Sequence, residues 1–96
     1  MAKKTEPSPE LKALLGQQVV VDTDSVYVYL GTLASVGGDY LELADVDVHD
    51  TSDTKSTKEY YVHEIRKLGV KKNRQKTLLR LARVLSISKL DDVIVF

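Results

Sequence analysis

The 96-residue sequence has no cysteine, no tryptophan, one phenylalanine and no long apolar run. The lack of cysteine excludes a disulfide framework and a thiolate metal site, and we expect a reducing, cytoplasmic environment. No apolar stretch approaches the roughly 18 residues that cross a bilayer, and the first ten residues lack the apolar segment of a secretory signal. We therefore expect one small domain without a membrane partner, whose core consists of Val, Leu and Ile.

The net charge is zero, but the charges divide between the two halves of the chain. Residues 1–53 carry three Lys and ten Asp or Glu, whereas residues 54–96 carry eleven Lys or Arg and four Asp or Glu. The first half is therefore acidic and the second half is basic. Two interpretations remain open: the basic half binds an anionic partner, or the halves neutralise each other within the fold or between subunits.

Residues 17–48 predict a meander of three strands, at 17–22, at 26–35 and from Tyr40 onward. Apolar residues recur with period two, which places alternate side chains on one face of a sheet. Small and Asx residues at 22–25 and 37–39 predict hairpin turns with positive φ. Gly31 interrupts the second strand, which is typical of a sharp bend or a bulge, and we expect a bend there. A change of apolar phase after Leu43 indicates either a bulge in the third strand or a strand that crosses from one sheet face to the other.

Two helices are predicted on either side of this meander. The first begins with Ser8 as its N-cap, carries an apolar stripe of leucines and ends at Gly16. Residues 49–58 indicate a solvated loop, and a second helix begins at Thr57 and ends at Gly69. In this helix Tyr61, Ile65 and Leu68 share one face. A strand over residues 59–63 is the alternative, because Tyr-Tyr-Val favours extended structure.

The remaining residues predict two more strands. A basic connection at 71–76 leads into a long strand at 78–88, and a turn at 88–92 leads into a short apolar strand at 93–96. The last strand ends with the sequence, so its outer edge is expected to be open for pairing.

Several segments carry a resemblance to a known family: Leu14-Leu15-Gly16-x-x-Val19-x-Val21, Leu30-Gly31-Thr32-Leu33, Tyr40-Leu41-x-Leu43-x-Asp45-Val46, and the run from Ile87 to Phe96. Together with the order of elements, they resemble the Sm/LSm family, as a divergent member of bacterial or phage type. The resemblance implies a mainly β fold: a short N-terminal helix and a strongly bent, five-stranded antiparallel SH3-like barrel. It would span residues 8–96 after a frayed segment at 1–7, with an insert at 49–76.

The resemblance also implies function. Sm-like subunits form rings in which the fourth strand of one subunit pairs with the fifth strand of the next, so we expect a homo-oligomer whose further partner is RNA. In the family's uridine pocket, Tyr40 matches the base-stacking position, Glu42 stands where an Asn reads the base edge, and Lys89 stands where an Arg belongs. No cofactor is implied.

Other residues are candidates for binding and chemistry. Lys71, Lys72 and Arg74 belong to a basic run that a ring would multiply into a positive surface, which favours electrostatic binding of RNA. Asp45, Asp47 and His49 alternate along the third strand, either as a metal site or as a solvent-facing strand side. No spacing supports a nucleophile with its base, so we expect a non-enzymatic protein. The alternative function is a structural ring that does not bind nucleic acid.

Overall fold

The helices and strands are seen in a computed structural model that describes residues 7–52 and 57–95. Their order is α1 Pro9–Lys12, β1 Gln18–Thr23, β2 Tyr27–Val36, β3 Tyr40–Asp50, α2 Lys58–Leu68, β4 Arg74–Arg80 and β5 Val84–Lys89. One 3₁₀ turn, Leu81–Arg83, joins β4 to β5, and a second, Leu90–Asp92, follows β5. The expectations for residues 1–6, 53–56 and Phe96 lie outside the described residues.

All five strands belong to one antiparallel sheet in the order β4-β3-β2-β1-β5. The mainly β class, the five strands and the short N-terminal helix are confirmed. Although β4 and β5 follow one another along the chain, they lie at opposite edges of the sheet. Within the described chain, each of them pairs with a strand on one side only.

Gly31 in β2 and Asp45 in β3 together bend the sheet, as the sequence predicted. The pairing of the two strands shifts register between Leu30 and Thr32. Asp45 is the extra residue of the bulge in β3. Its φ of 52° is positive, a conformation that Asp tolerates better than most residues. A Cβ on Gly31 would lie 2.9 Å from the carbonyl oxygen of Ala44, so only glycine lets the two backbones approach this closely.

The helix α1 begins where the sequence predicted and ends earlier. The backbone N–H of Leu11 donates to Ser8 Oγ at 3.2 Å, and Pro9 occupies the first helical turn. Gly16, with a φ of 81°, redirects the chain into β1. Leu11 and Leu14 pack on the core of the sheet, whereas Leu15 is exposed.

The helix α2 is confirmed, and the alternative strand at 59–63 is excluded. Thr57 Oγ1 accepts from the N–H of Tyr60 at 3.1 Å, and Gly69, with a φ of 92°, ends the helix. Ile65 is buried, whereas Leu68, in the last turn of the helix, is 66% exposed.

The predicted strand at 78–88 is wrong. The chain leaves β4 after Arg80, turns through Leu81–Arg83 and enters β5, so part of the predicted basic connection belongs to β4. Neither glycine, proline nor a side-chain cap marks this turn. Contacts distant in sequence hold it instead: Leu81 N–H donates to the carbonyl of Asp39 at 2.8 Å, and Asp24 N–H donates to the carbonyl of Arg83 at 3.1 Å.

The predicted final strand is also wrong for its described part. Val93–Val95 is irregular, and Val93 N–H donates to the Leu90 carbonyl at 3.1 Å. Leu90 is 5% exposed and Val93 packs beside it, so this segment covers apolar surface instead of pairing as a strand. The predicted loop at 49–58 is likewise shorter, because His49 and Asp50 belong to β3. In the turn at 37–39, Gly37 does not need the positive φ that we expected.

Apolar side chains are buried on both sides of the sheet. The inner side is built from residues of β1 to β4, with α1 packed against it: Val19, Val21, Leu33, Leu41, Leu43, Val46 and Leu79. The outer side is smaller and lies beneath α2 and the segment after β5: Val28, Leu30, Ile65 and Leu90. The outer face of β1 and β2 is therefore covered by α2, whereas β4 and β5 remain largely exposed.

We predict that Gly31→Ala destabilises the fold by about 1–3 kcal/mol, because the new methyl group meets backbone that cannot move without breaking the β2–β3 ladder. Urea denaturation measures the change. The matched control is Gly37→Ala, where the new Cβ lies 3.6 Å from the Tyr40 carbonyl oxygen, an ordinary contact. The control should change stability by less than about 0.5 kcal/mol. Equal effects of the two substitutions would show that the bend does not depend on Gly31.

Candidate nucleic-acid interface

A shallow recess of about 370 Å³ lies where the β2–β3 turn meets the turn between β4 and β5. Tyr40 and Arg80 stand directly opposite each other on the paired strands β3 and β4. The hydrogen bond from Leu81 to Asp39 ties the two turns together beside them. Tyr40 is 45% exposed, so its ring is available to a ligand.

The recess combines an aromatic face with a guanidinium group. An exposed tyrosine ring offers a stacking surface for a base, and a guanidinium group offers planar donors for phosphate or a carbonyl edge. Arg80 forms no ion pair with any residue in the described ranges. This pair is chemically suited to a nucleotide.

Glu42 lies two residues along β3 from Tyr40, on the same strand face. Its Oε1 is 3.5 Å from Lys76 Nζ, and its side chain is 28% exposed. The carboxylate is thus balanced by a cation within the same subunit, which reduces its repulsion of an incoming phosphate. Glu42 also stands opposite Leu78, so it borders the Tyr40–Arg80 pair without belonging to it.

Lys89 does not join this recess. It lies at the end of β5, opposite Val19 of β1, at the other edge of the sheet from β4. Arg80 is the residue that sequence reasoning missed. The sequence does contain a signal. Arg80 and Arg83 are three residues apart, so in one continuous strand their side chains would lie on opposite faces and one of them would be buried.

The basic residues at and just before the start of β4 form a second, separate location. Lys71, Lys72 and Arg74 are exposed, and Lys72 Nζ lies 3.3 Å from Asp45 Oδ1 with both side chains mostly in solvent. Lys71 and Arg74 have no ion-pair partner among the described residues. Arg74 begins β4 and Arg80 ends it, so roughly 20 Å of strand separates these cations from the recess.

Charge neutralisation between the two halves of the chain is seen within the fold. Each ion pair of the described residues joins an acid of the first half to a base of the second: Lys58–Asp22, Lys72–Asp45, Lys76–Glu42 and Arg83–Asp24. Several cations of the second half are left over after this pairing. Neutralisation between the halves is therefore confirmed for the paired residues, and the binding of an anionic partner stays a prediction for the remaining cations.

Two solved structures share this architecture. The Sm protein of Pyrococcus abyssii, solved in complex with a uridine heptamer, matches with a TM-score of 0.59 at 20% identity, over 88% of this chain and 97% of that chain. SmAP1 of P. aerophilum, crystallised as a heptamer, matches with a TM-score of 0.56 at 24% identity, over 83% of this chain and 86% of that chain. The chain has the Sm-like fold. No protein-family model and no curated protein matches its sequence.

The Sm-like fold of this chain places the three residues of the candidate metal site in different environments. Asp45 lies exposed at the bulge beside Lys72, whereas Asp47 is 2% exposed. His49 stacks on Tyr61, with ring centroids 3.7 Å apart. Among the described residues no group of His, Asp and Glu is arranged to hold a metal ion. In the same ranges no helix is long and apolar enough to cross a membrane.

Asp47 connects β3 to α2 in this Sm-like fold. The Tyr61 hydroxyl donates to Asp47 Oδ1 at 2.6 Å, and Asp47 Oδ2 is buried without a hydrogen-bond partner among the described residues. Burial, together with this hydrogen bond to a carboxylate, raises the pKa of Tyr61 well above its usual value. The contact holds α2 over the sheet and has no evident catalytic use.

We predict that Tyr61→Phe lowers the free energy of unfolding by about 1–3 kcal/mol, because Asp47 loses its donor in a buried position. The native state keeps the Tyr61 proton that the unfolded state releases above pH ~10, so this stabilisation is lost as pH rises through that range. Chemical denaturation between neutral and alkaline pH should show that loss in the wild type and a smaller one in the variant.

The matched control for this prediction is Tyr60→Phe, since Tyr60 is 57% exposed. It should change stability by less than about 0.5 kcal/mol. The role assigned to the Asp47 contact would be contradicted if the Tyr61→Phe protein were as stable as the control and lost as much stability at alkaline pH as the wild type.

Proposed function

We propose that this protein is a non-enzymatic, RNA-associated protein that assembles into a homo-oligomeric ring. The observation that carries the proposal is the pairing of Tyr40 with Arg80 in an exposed recess, on a fold whose two edge strands are open within the described chain. One solved protein with this fold holds a uridine heptamer and another is a heptamer, which supports both parts. The lack of cysteine agrees with a cytoplasmic protein.

The edges of the sheet support self-association. Unpaired edge strands expose backbone donors and acceptors, and β4 and β5 carry exposed apolar side chains at Leu78 and Leu85. Pairing β4 of one copy with β5 of the next would satisfy both edges by one repeated contact. Such a head-to-tail contact closes into a ring when its rotation allows.

RNA binding would use two kinds of contact. Tyr40 stacks on a base and Arg80 contributes a directed cation, while Lys71, Lys72 and Arg74 attract the phosphate backbone from the other end of β4. Lys89 adds a further cation at the opposite edge, and Glu42 borders the recess with its charge balanced by Lys76. Repeated around a ring, the recesses would read successive bases.

A ring that does not bind nucleic acid is the second candidate. The four ion pairs seen between described residues favour it, because they use part of the basic half inside the fold. The two candidates share the assembly and differ only in the ligand.

We expect light scattering to show an oligomer at micromolar concentration. Leu85→Glu should shift it toward smaller species, because a charge placed on the β5 edge loses solvent on pairing. Leu68→Glu is the matched control: Leu68 is similarly exposed, at 66% against 68% for Leu85, and lies at the end of α2. A wild-type monomer would remove the ring from the proposal.

We expect an oligouridine to bind with an affinity that falls steeply as salt rises. Tyr40→Ala should weaken binding by about tenfold for each stacked base, whereas Tyr27→Ala, at the far end of β2, should not. Replacing Lys71 and Lys72 by Ala should lower the salt slope by about one unit for each phosphate that these lysines neutralise. Fluorescence anisotropy measures both effects, and an oligomer that binds nothing at low salt would favour the second candidate.

A further inference from the structure

A groove of about 1000 Å³ lies between α2, the outer face of the sheet and the segment after β5. Val20 supplies partly exposed apolar surface to its floor above the buried Val28, and Val62 and Ile94 contribute to its walls. None of the residues assigned above to RNA binding lines it. The groove is therefore a second surface, distinct from the recess.

The helix that forms one wall is fixed at several points. Lys58 Nζ donates to Asp22 Oδ1 at 2.6 Å and to the backbone carbonyls of Thr23 and Ser25 at 3.1 and 2.6 Å. Further along the helix, Tyr61 is bonded to Asp47, and Ile65 packs on the sheet. Because these contacts hold α2 in place, the groove is a preformed feature of the fold.

The groove opens toward the free edge of β5. Ser86 and Ser88 lie opposite Asp22 and Val20 of β1, and they line the groove with small side chains. Within the described chain, no strand pairs with the outer edge of β5. A strand added to β5 would extend the groove floor, and its outward side chains would stand beside α2.

The outward side chains of β4 suit this place. Lys76, Leu78 and Arg80 share one face of β4, since they pair with Ala44, Glu42 and Tyr40 along β3. Leu78 at the centre of this face is 59% exposed. The face therefore combines one apolar side chain with flanking cations.

The charges on the two surfaces are complementary. Acids outnumber lysines in the lining of the groove: Asp22, Glu59, Glu64 and Asp92 against Lys58 and Lys67. Lys58 pairs with Asp22, and the other three acids form no ion pair with another described residue. The strand β4 carries three cations and no acid. Opposite charges at such a contact would favour one partner and one register.

We propose that the groove receives the outer face of β4 from a second copy of this chain, with Leu78 beside Ser86 and Ser88 and Lys76 facing the acids of the groove. This inference rests on the proposed ring and assigns to α2 the role of a clamp across the joint between subunits. The strands supply backbone pairing, and the helix adds side-chain contacts that fix which strand may pair.

Cross-linking between two single-cysteine variants tests this arrangement, since the native chain has no cysteine. Lys67→Cys places a thiol in the groove and Leu78→Cys places one on β4. The two variants are co-expressed with different tags, and the assembly is treated with a short bismaleimide. The control replaces Lys67→Cys with Leu68→Cys, on the adjoining α2 residue that does not line the groove.

The Lys67–Leu78 pair should give about tenfold more mixed cross-linked dimer than the control pair, because proximity raises the effective thiol concentration. An oligomer of wild-type size without this excess would overturn the groove assignment and leave the ring intact. A monomer would overturn both. Loss of the cross-link on adding an oligouridine would assign the groove to RNA and also overturn the inference.

Discussion

The close approach of two backbones at Gly31 is the constraint on which the rest of the structure depends. The Ala44 carbonyl occupies the space in which any other residue at position 31 would place its Cβ, and Asp45 forms the bulge opposite with a positive φ. This bend lets a five-stranded sheet enclose the inner core. It also leaves β4 and β5, neighbours in sequence, as the two open edges of the described sheet.

The three-residue turn between β4 and β5 links this architecture to binding. It has no cap of its own and depends on hydrogen bonds from Leu81 to Asp39 and from Asp24 to Arg83. The same contacts bring the β2–β3 turn beside Arg80, so the recess arises where the edge strands are joined. Assembly and ligand recognition would therefore share one structural element, which fits a ring whose repeated joints present repeated sites.

The division of charge along the sequence has more than one use in the fold. Four cations of the second half form ion pairs with acids of the first half and help to hold the two halves together: Lys58, Lys72, Lys76 and Arg83. Other cations lie at the two ends of β4, while acids outside these four ion pairs line the groove beneath α2. A zero net charge thus hides local surfaces of opposite sign, and these surfaces suit an anionic ligand and a second subunit.

The sequence by itself determined the local features. Ser8, Thr57 and Gly69 mark helix ends, while Gly31 and the phase change after Leu43 mark the bend, because each signal acts within a few residues. Only the tertiary structure decided that residues 78–88 break into two strands, that Val93 covers α2's side of the sheet and that Arg80, not Lys89, stands beside Tyr40. Those outcomes depend on pairing and burial between segments distant along the chain, which alternation of apolar residues does not specify.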